Sequence, residues 1–114
     1  MITRFPGLTP TRSRAVVHDG LVFTVAVSPD PEPDFYQQTR QALRRIDESL
    51  ALSGTDKTRI LSALVYNADI AKKEEMNRAW DEWVDRANPP MRACLGVDLE
   101  PPHLVEIVVT AAKR

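Results

Sequence analysis

Residues 14–27 read RAVVHDGLVFTVAV, two runs of β-branched and apolar residues on either side of the dipeptide Asp19-Gly20. A two-residue Asp-Gly connection is typical of a type I′ turn, because both turn positions need positive φ angles that these residues adopt easily. The stretch therefore predicts a β-hairpin. This hairpin places the chain among folds that contain a sheet, and the segments that follow decide what packs against it.

The segments after the hairpin predict a loop and then a helix. Residues 28–33 contain three prolines, which argue against a helix and against a central strand. Asp34 and Gln37 resemble a capping box, and Gly54 supplies the left-handed residue that ends a helix. We expect a helix over residues 34–53. Its buried face is expected to carry residues at helical spacing, namely Phe35, Thr39, Ala42, Leu43, Ile46 and Leu50.

The second half of the chain predicts a strand, a helix and two more strands. Residues 59–67 read RILSALVYN, a near-continuous apolar run of strand length. Residues 72–87 predict a helix that an Asn-Pro-Pro sequence ends. Residues 91–97 and 103–112 predict two strands joined by a short loop with two prolines.

Residues 1–114 together predict a single α+β domain with the element order ββαβαββ and both helices on one face of the sheet. Residues 1–13 show no periodicity, and we expect them to form a lead-in that lies on the surface or on a neighbouring subunit. The other face of the sheet needs a cover, because residues 105–109 (VEIVV) carry apolar side chains at both strand parities. Self-association into a closed symmetric oligomer is the expected cover.

Composition narrows the class of protein. The chain has 15 Lys and Arg against 16 Asp and Glu, a formal net charge of -1, so it generates no positive field that would attract nucleic acid. No apolar run approaches the ~18 residues of a membrane span, and the first residues lack the apolar core of a signal peptide. We therefore expect a cytoplasmic protein with neither nucleic acid nor a membrane as its partner. The single cysteine, Cys94, has no second cysteine with which to form a disulfide or a zinc site.

Three polar residues interrupt the apolar strands near the end of the chain. Arg92 and Cys94 are alternate residues of one strand and so point to the same side, while Glu106 lies in the next strand. Burying either charge without a partner would cost several kcal/mol, so one interpretation is a cross-strand Arg92–Glu106 ion pair. The pairing register stays open. A three-residue turn at 99–101 would set Cys94 opposite Glu106, whereas a one-residue slip would send Glu106 to the other face.

The sequence NPPMRAC at residues 88–94, followed by LVEI at residues 104–107, resembles the C-terminal signature of the RidA/YjgF family. The likeness extends along nearly the whole chain. The hairpin at residues 14–27, QTRQAL at residues 38–43 and MNRAW at residues 76–80 fall in the order and spacing of that family.

This resemblance implies a chorismate-mutase-like homotrimer with ligand clefts between neighbouring subunits. It also implies a hydrolytic deaminase of reactive enamine and imine acids, such as 2-aminoacrylate, that gives 2-keto acids and ammonia without metal or cofactor. Arg92 would bind the substrate carboxylate through its planar guanidinium. Glu106 would position and activate the attacking water. Cys94 and Asn77 would line the same cleft.

Several residues depart from the family pattern. Arg12 stands where the family has a pocket tyrosine, and Ala26 and Val27 stand where it has a glycine and a glutamine. Met91 replaces a residue that is usually small, and Asp98 also breaks the strict signature. A second hypothesis therefore stays open, a non-catalytic trimer that binds small carboxylates as a sensor or chaperone partner. RNA cleavage is a third hypothesis, and the near-neutral charge argues against it.

The remaining candidate residues have simpler interpretations. Trp80 and Trp83 fall on the apolar face of the second predicted helix and are expected to pack in the core. His18 and His103 lie at strand ends without a second ligand, so we predict no metal site. Cys94 could act as a nucleophile or as a passive wall of the cleft, and the passive role is favoured because no histidine is placed beside it. We interpret Arg40, Arg44 and Arg45 as a solvated helix face.

Overall fold

The computed structural model describes residues 1–114. The strands are β1 Ile2–Pro6, β2 Ser13–His18, β3 Leu21–Val27, β4 Ile60–Asn67, β5 Met91–Gly96 and β6 Val105–Ala112. The helices are α1 Phe35–Leu52 and α2 Lys73–Trp83, and short 3-10 turns lie at Lys57–Arg59 and Ile70–Lys72.

All six strands form one sheet in the order β1-β2-β3-β6-β4-β5. Only the β4–β5 pair is parallel, and every other neighbouring pair is antiparallel. Both helices pack on one face of this sheet. The predicted α+β class, with one sheet and two helices, is therefore confirmed.

The last two strands are not neighbours, because β4 lies between them. The sequence had suggested direct β5–β6 pairing across the proline loop, and that expectation is wrong. Val97 N–H donates to the Asn67 carbonyl, and Ala68 N–H donates to the Leu104 carbonyl. These bonds hold the loop between β5 and β6 against the end of β4. The side chain of Gln38 on α1 holds the same connection, since its Oε1 accepts from Leu104 N–H at 2.8 Å.

The β2–β3 hairpin forms as predicted. Asp19 and Gly20 have φ angles of 49° and 76°, the two positive values that a type I′ turn requires. Val17 then pairs with Val22, and the pairing continues to Ala15 opposite Thr24. The turn fixes which side chains of the hairpin face the helices.

Helix α1 also begins and ends as its sequence predicts. The Asp34 side chain accepts from Gln37 N–H at 3.1 Å, and Gly54 adopts a φ of 83° just after the helix. Helix α2 ends at Trp83, earlier than the predicted residue 87. The Asp85 side chain accepts from Ala87 N–H at 3.1 Å, and this local turn replaces a further helical turn.

Residues 2–6 lie at the surface, as expected for the lead-in, but they form a strand that the sequence did not predict. β1 pairs antiparallel with β2, from Ile2 opposite His18 to Phe5 opposite Ala15. Strand β1 lies at an edge of the sheet and is mostly exposed, with only Phe5 packed against the core. An edge strand of this kind leaves no alternating hydrophobic pattern in the sequence. The element order accordingly starts with three strands rather than two.

The core lies between the helices and one face of the sheet. On the central strand β6, Val105, Ile107 and Val109 are fully buried against the helix layer, and Ala63 and Val65 of β4 lie beside them. None of the helices combines the length and the apolar character that crossing a bilayer would require.

The other face of the sheet has no helix over it, and we call it the open face. Pairing register places four rows of alternate residues there, one each from β3, β6, β4 and β5. Many of these side chains are large, apolar and exposed, namely Phe23, Val25, Leu64, Met91 and Leu95. An apolar surface of this kind is typical of a protein-protein contact.

Candidate functional site

Arg92 lies on the edge strand β5 and points to the helix side of the sheet. Its Nη1 is 3.9 Å from Met76 Sδ, and its guanidinium carbon is 5.2 Å from the centre of the Trp80 ring. Its side chain is half-buried and forms none of the three ion pairs in the structure. An arginine held by a thioether and an aromatic ring, with no carboxylate partner, retains its donors for an external acid.

Cys94 lies on the same side of β5 as Arg92, as the two-residue strand period predicts. It pairs with Val65 of β4, is half-buried and packs against the core cluster. Its thiol is free. This location suits a cleft wall next to the guanidinium.

Asn77 lies on α2, directly after Met76, which Arg92 contacts. Its Nδ2 donates weakly to Glu74 Oε1 at 3.4 Å, and its Oδ1 is buried without a hydrogen-bond partner. An unpaired buried acceptor costs about 1–3 kcal/mol, so this oxygen favours any donor that a ligand brings. Arg92 and Cys94 therefore lie on the same side of the edge strand β5, and Asn77 lies on α2, the helix whose Met76 and Trp80 contact Arg92.

Glu106 lies on the opposite face of the sheet from Arg92. It pairs with Val27 on β3 and with Tyr66 on β4, so it projects from the open face, while its neighbours in β6 are buried under the helices. Its carboxylate is half-exposed and forms no ion pair or hydrogen bond within the subunit. The cross-strand Arg92–Glu106 pair and the placement of Cys94 opposite Glu106 are both wrong, since β4 separates the two strands.

Arg12 lies in the loop between β1 and β2, at the other end of the sheet. Its backbone N–H donates to the Thr9 carbonyl and its carbonyl accepts from Gly7 N–H, so the loop is closed locally. Its side chain is exposed and lines a cavity of about 320 Å³ together with Arg4. Four strand steps separate β2 from β5, about 19 Å at the usual strand spacing. One subunit therefore does not bring Arg12 to Arg92.

The sequence-predicted site residues thus form three separate groups. Arg92, Cys94 and Asn77 lie at one edge, Glu106 lies on the open face, and Arg12 lies at the far edge. Any cleft that contains all of them needs a second copy of the chain.

Sequence reasoning missed the side chains that hold the guanidinium. Trp80 was interpreted as a core residue of the second helix, and both Met76 and Trp80 are buried. They also form the surface on which Arg92 lies. Helical spacing marks a buried face but does not tell which strand residue contacts it.

The structure contains no cluster of three or more His, Cys, Asp or Glu side chains that could hold a metal ion. His18 is instead 3.1 Å from the carboxylate of Asp19, in the hairpin turn. His103 lies in the loop before β6, and its Nδ1 is buried without a partner.

Comparison with known proteins gives consistent matches along the chain. A family model described as "Endoribonuclease L-PSP" matches residues 9–113. A "RutC family protein" of Haemophilus ducreyi is 48% identical over 114 residues, covering 98% of this chain and 97% of that protein. "RutC family protein YoaB" of Escherichia coli is 34% identical over 101 residues, covering 88% and 89%.

A solved structure shows the same fold. The crystal structure of a YjgF-family protein from Neisseria meningitidis superposes with a TM-score of 0.94 at 39% identity, covering 100% of this chain and 96% of that one.

Proposed function

Because the chain belongs to the YjgF/RutC family, described by the endoribonuclease L-PSP model, we propose that it is a hydrolytic deaminase of reactive enamine and imine acids. The family membership confirms the RidA/YjgF resemblance of the sequence. The proposed reaction takes 2-aminoacrylate-type substrates to 2-keto acids and ammonia in the cytoplasm. The observation that carries the proposal is the unpaired guanidinium of Arg92.

Carboxylate binding is the first step of this proposal. Arg92 presents its planar donors on the same side of β5 as Cys94, and in the proposed cleft the unpaired Asn77 Oδ1 of α2 would accept from an N–H group of the substrate. A lysine at this position would offer a point charge without the two parallel donors. Substrate carboxylate on Arg92 therefore fixes the position of the imine carbon.

The catalytic step needs Glu106, which a neighbouring copy of the chain would supply. The open face is apolar, and burying it against other copies is favourable by roughly 25 cal/mol for each Å². In the proposed homotrimer, clefts between copies combine Arg92, Cys94 and Asn77 of one subunit with Glu106 and Arg12 of the next. This arrangement accounts for the separation of Glu106 and Arg12 from Arg92 in one subunit.

Hydrolysis then follows from general acid-base chemistry. An enamine substrate first tautomerises to its imine. Glu106 then accepts a proton from water as that water adds to the carbon of the protonated imine, which forms a carbinolamine. The same carboxyl gives this proton to the amine nitrogen and takes the hydroxyl proton as the C–N bond breaks, so that ammonia leaves and the 2-keto acid forms. The step consumes water only, and it uses neither metal nor cofactor.

The test is ammonia release from imines that an amino-acid oxidase generates in the assay. Purified protein is expected to accelerate release, and Arg92→Ala should abolish the acceleration. Arg59→Ala, an exposed arginine on the turn before β4, is the matched control and should retain full activity. Equal rates with and without protein would contradict the proposal.

A second candidate is a non-catalytic trimer that binds small carboxylates, as a sensor or chaperone partner. It is favoured by Val27, which pairs with Glu106 and offers it no polar side chain, and by the absence of any hydrogen bond that orients Glu106. Calorimetry with 2-keto acids would then show Arg92-dependent binding without ammonia release. Cleavage of RNA ranks below both candidates, because a net charge of -1 gives phosphate backbones little attraction.

A further inference from the structure

A groove runs between α1 and α2 on the outer side of the helix layer, away from the open face. Its volume is about 340 Å³, at the lower end of the range for small-molecule sites. Leu43 and Ala79 form a buried apolar floor, and the half-buried Trp83 ring forms one wall.

The two acidic side chains of the groove are already engaged. Asp47 Oδ2 accepts from Trp83 Nε1 at 2.9 Å, and Glu82 Oε1 accepts from Tyr36 Oη at 2.5 Å. Burial raises the pKa of Asp47, although the Trp83 hydrogen bond opposes that effect. These contacts leave the acids few free acceptor positions.

The basic side chains of the groove are less engaged. Arg40 and Arg44 lie one turn apart on α1, and neither forms an ion pair. Arg40 donates to Gln37 Oε1 at 3.3 Å, and Arg44 makes no side-chain hydrogen bond. Lys57 Nζ donates to the Trp83 carbonyl at 2.6 Å and lies 5.3 Å from the ring centre. Three cations therefore face two acids, and both guanidiniums keep free donors.

We propose that this groove is a second binding site, for a small carboxylate with a flat apolar body. The carboxylate would bind Arg40 and Arg44, whose planar donors match its two oxygens. The apolar body would cover Leu43 and the Trp83 ring. From the sequence, Arg40 and Arg44 are interpreted as part of a solvated helix face, whereas in this proposal they bind the carboxylate of a ligand.

The groove shares no lining residue with the Arg92 site. It stays accessible when copies of the chain cover the open face, because it lies on the far side of the helices. The ring centres of Trp80 and Trp83 are 5.3 Å apart, with Arg92 beside the first and the groove beside the second. The two tryptophans of the chain thus provide one spectroscopic reporter for each site.

The test is a titration of ¹⁵N-labelled protein with benzoate, followed through the two indole N–H signals. Benzoate is expected to shift the Trp83 signal saturably, and neutral benzamide should not. The Arg40→Gln, Arg44→Gln double variant should weaken benzoate binding at least tenfold. Asp47→Asn should strengthen it several-fold, since the change removes a negative charge and keeps an acceptor for Trp83.

Two controls separate this site from others. Arg4→Gln makes the same charge change on the far edge strand β1 and should leave benzoate binding unchanged. Arg92→Ala should leave the Trp83 shift in place. Any of four results would overturn the proposal. The first two are the absence of a saturable Trp83 shift with benzoate and the loss of that shift in Arg92→Ala. The other two are a shift that persists in the double arginine variant and the same shift with benzamide.

Discussion

The guanidinium carbon of Arg92 lies 5.2 Å from the centre of the Trp80 ring. The ring is 94% buried, so its position is fixed by the core, and the arginine that lies on it is held without an ion pair. A buried ring thereby orients a cation at the edge of the sheet.

Trp80→Phe should weaken carboxylate binding while leaving the chemical step intact. Phenylalanine keeps an apolar ring in the core but attracts a cation less, and such contacts contribute about 0.5–1 kcal/mol. We expect KM to rise roughly two- to five-fold with kcat unchanged. Steady-state kinetics of imine hydrolysis give both values. A fall in kcat at constant KM would show that Trp80 does not act by positioning Arg92.

Glu106→Gln should remove catalysis and preserve assembly. The change deletes the proposed general base, a group that contributes typically 10²–10⁴-fold to such reactions. It also removes the only charge that strands β3, β6, β4 and β5 place on the open face, so association of copies should be unchanged or stronger. Ammonia release and sedimentation velocity measure the two effects. Unchanged ammonia release would exclude Glu106 from the reaction.

Leu64→Arg should prevent the proposed self-association without unfolding the subunit. Leu64 projects from the open face with 38% exposure, so its replacement leaves the core between helices and sheet intact. Placing a charge in an apolar contact is costly, and activity should disappear with assembly. Leu52→Arg, at the exposed end of α1, is the control and should remain oligomeric. Light scattering and circular dichroism distinguish dissociation from unfolding.

Asp56→Asn should lower the melting temperature at neutral pH but not in strong acid. Hydrogen bonds from Thr58 and then Arg114 lower the pKa of Asp56 to about 2, from an ordinary value of 3.8. Because the folded pKa is the lower one, the stabilisation is present above pH 3.8 and is lost as pH falls towards 2. Thermal melts of both proteins across that window should converge. A constant difference down to pH 2 would contradict this assignment.

At neutral pH, Asp47→Asn should change the melting temperature in the opposite direction to Asp56→Asn. Burial raises the pKa of Asp47 above its ordinary value of 3.8. The stability that its protonated carboxyl contributes is therefore fully present below pH 3.8 and is lost as pH rises through the folded-state pKa. At neutral pH the variant should melt at or above the temperature of the wild type, and below pH 3.8 that advantage should disappear. The same thermal melts measure it, and a lower melting temperature at neutral pH would show that the charged Trp83 hydrogen bond dominates.

Local chemistry made part of the fold predictable. The Asp19-Gly20 turn, the Asp34 cap and the Gly54 stop each depend on neighbouring residues, and the structure contains all three. Strand β1 was missed because an exposed edge strand shows no alternation. The end of α2 was missed because the Asp85 side chain makes a competing turn.

The order of the strands in the sheet was predicted wrongly, and this order determines where the site residues lie. Whether β5 pairs with β6 depends on bonds between distant residues, such as the Leu104 N–H to Gln38 Oε1 bond across the core. Sequence periodicity placed Arg92 and Cys94 on one side correctly. It could not place Glu106, since inserting β4 between the strands changes its relation to Arg92.

The placement of Arg92 and Glu106 on opposite sides of one sheet has an evolutionary consequence. Within one subunit the helix layer contacts Arg92, whereas Glu106 projects from the other face, so a substitution beside Glu106 leaves the fold around Arg92 unchanged. Under the proposed function, a lineage can therefore lose turnover through Glu106 and keep Arg92-dependent binding of acids without refolding.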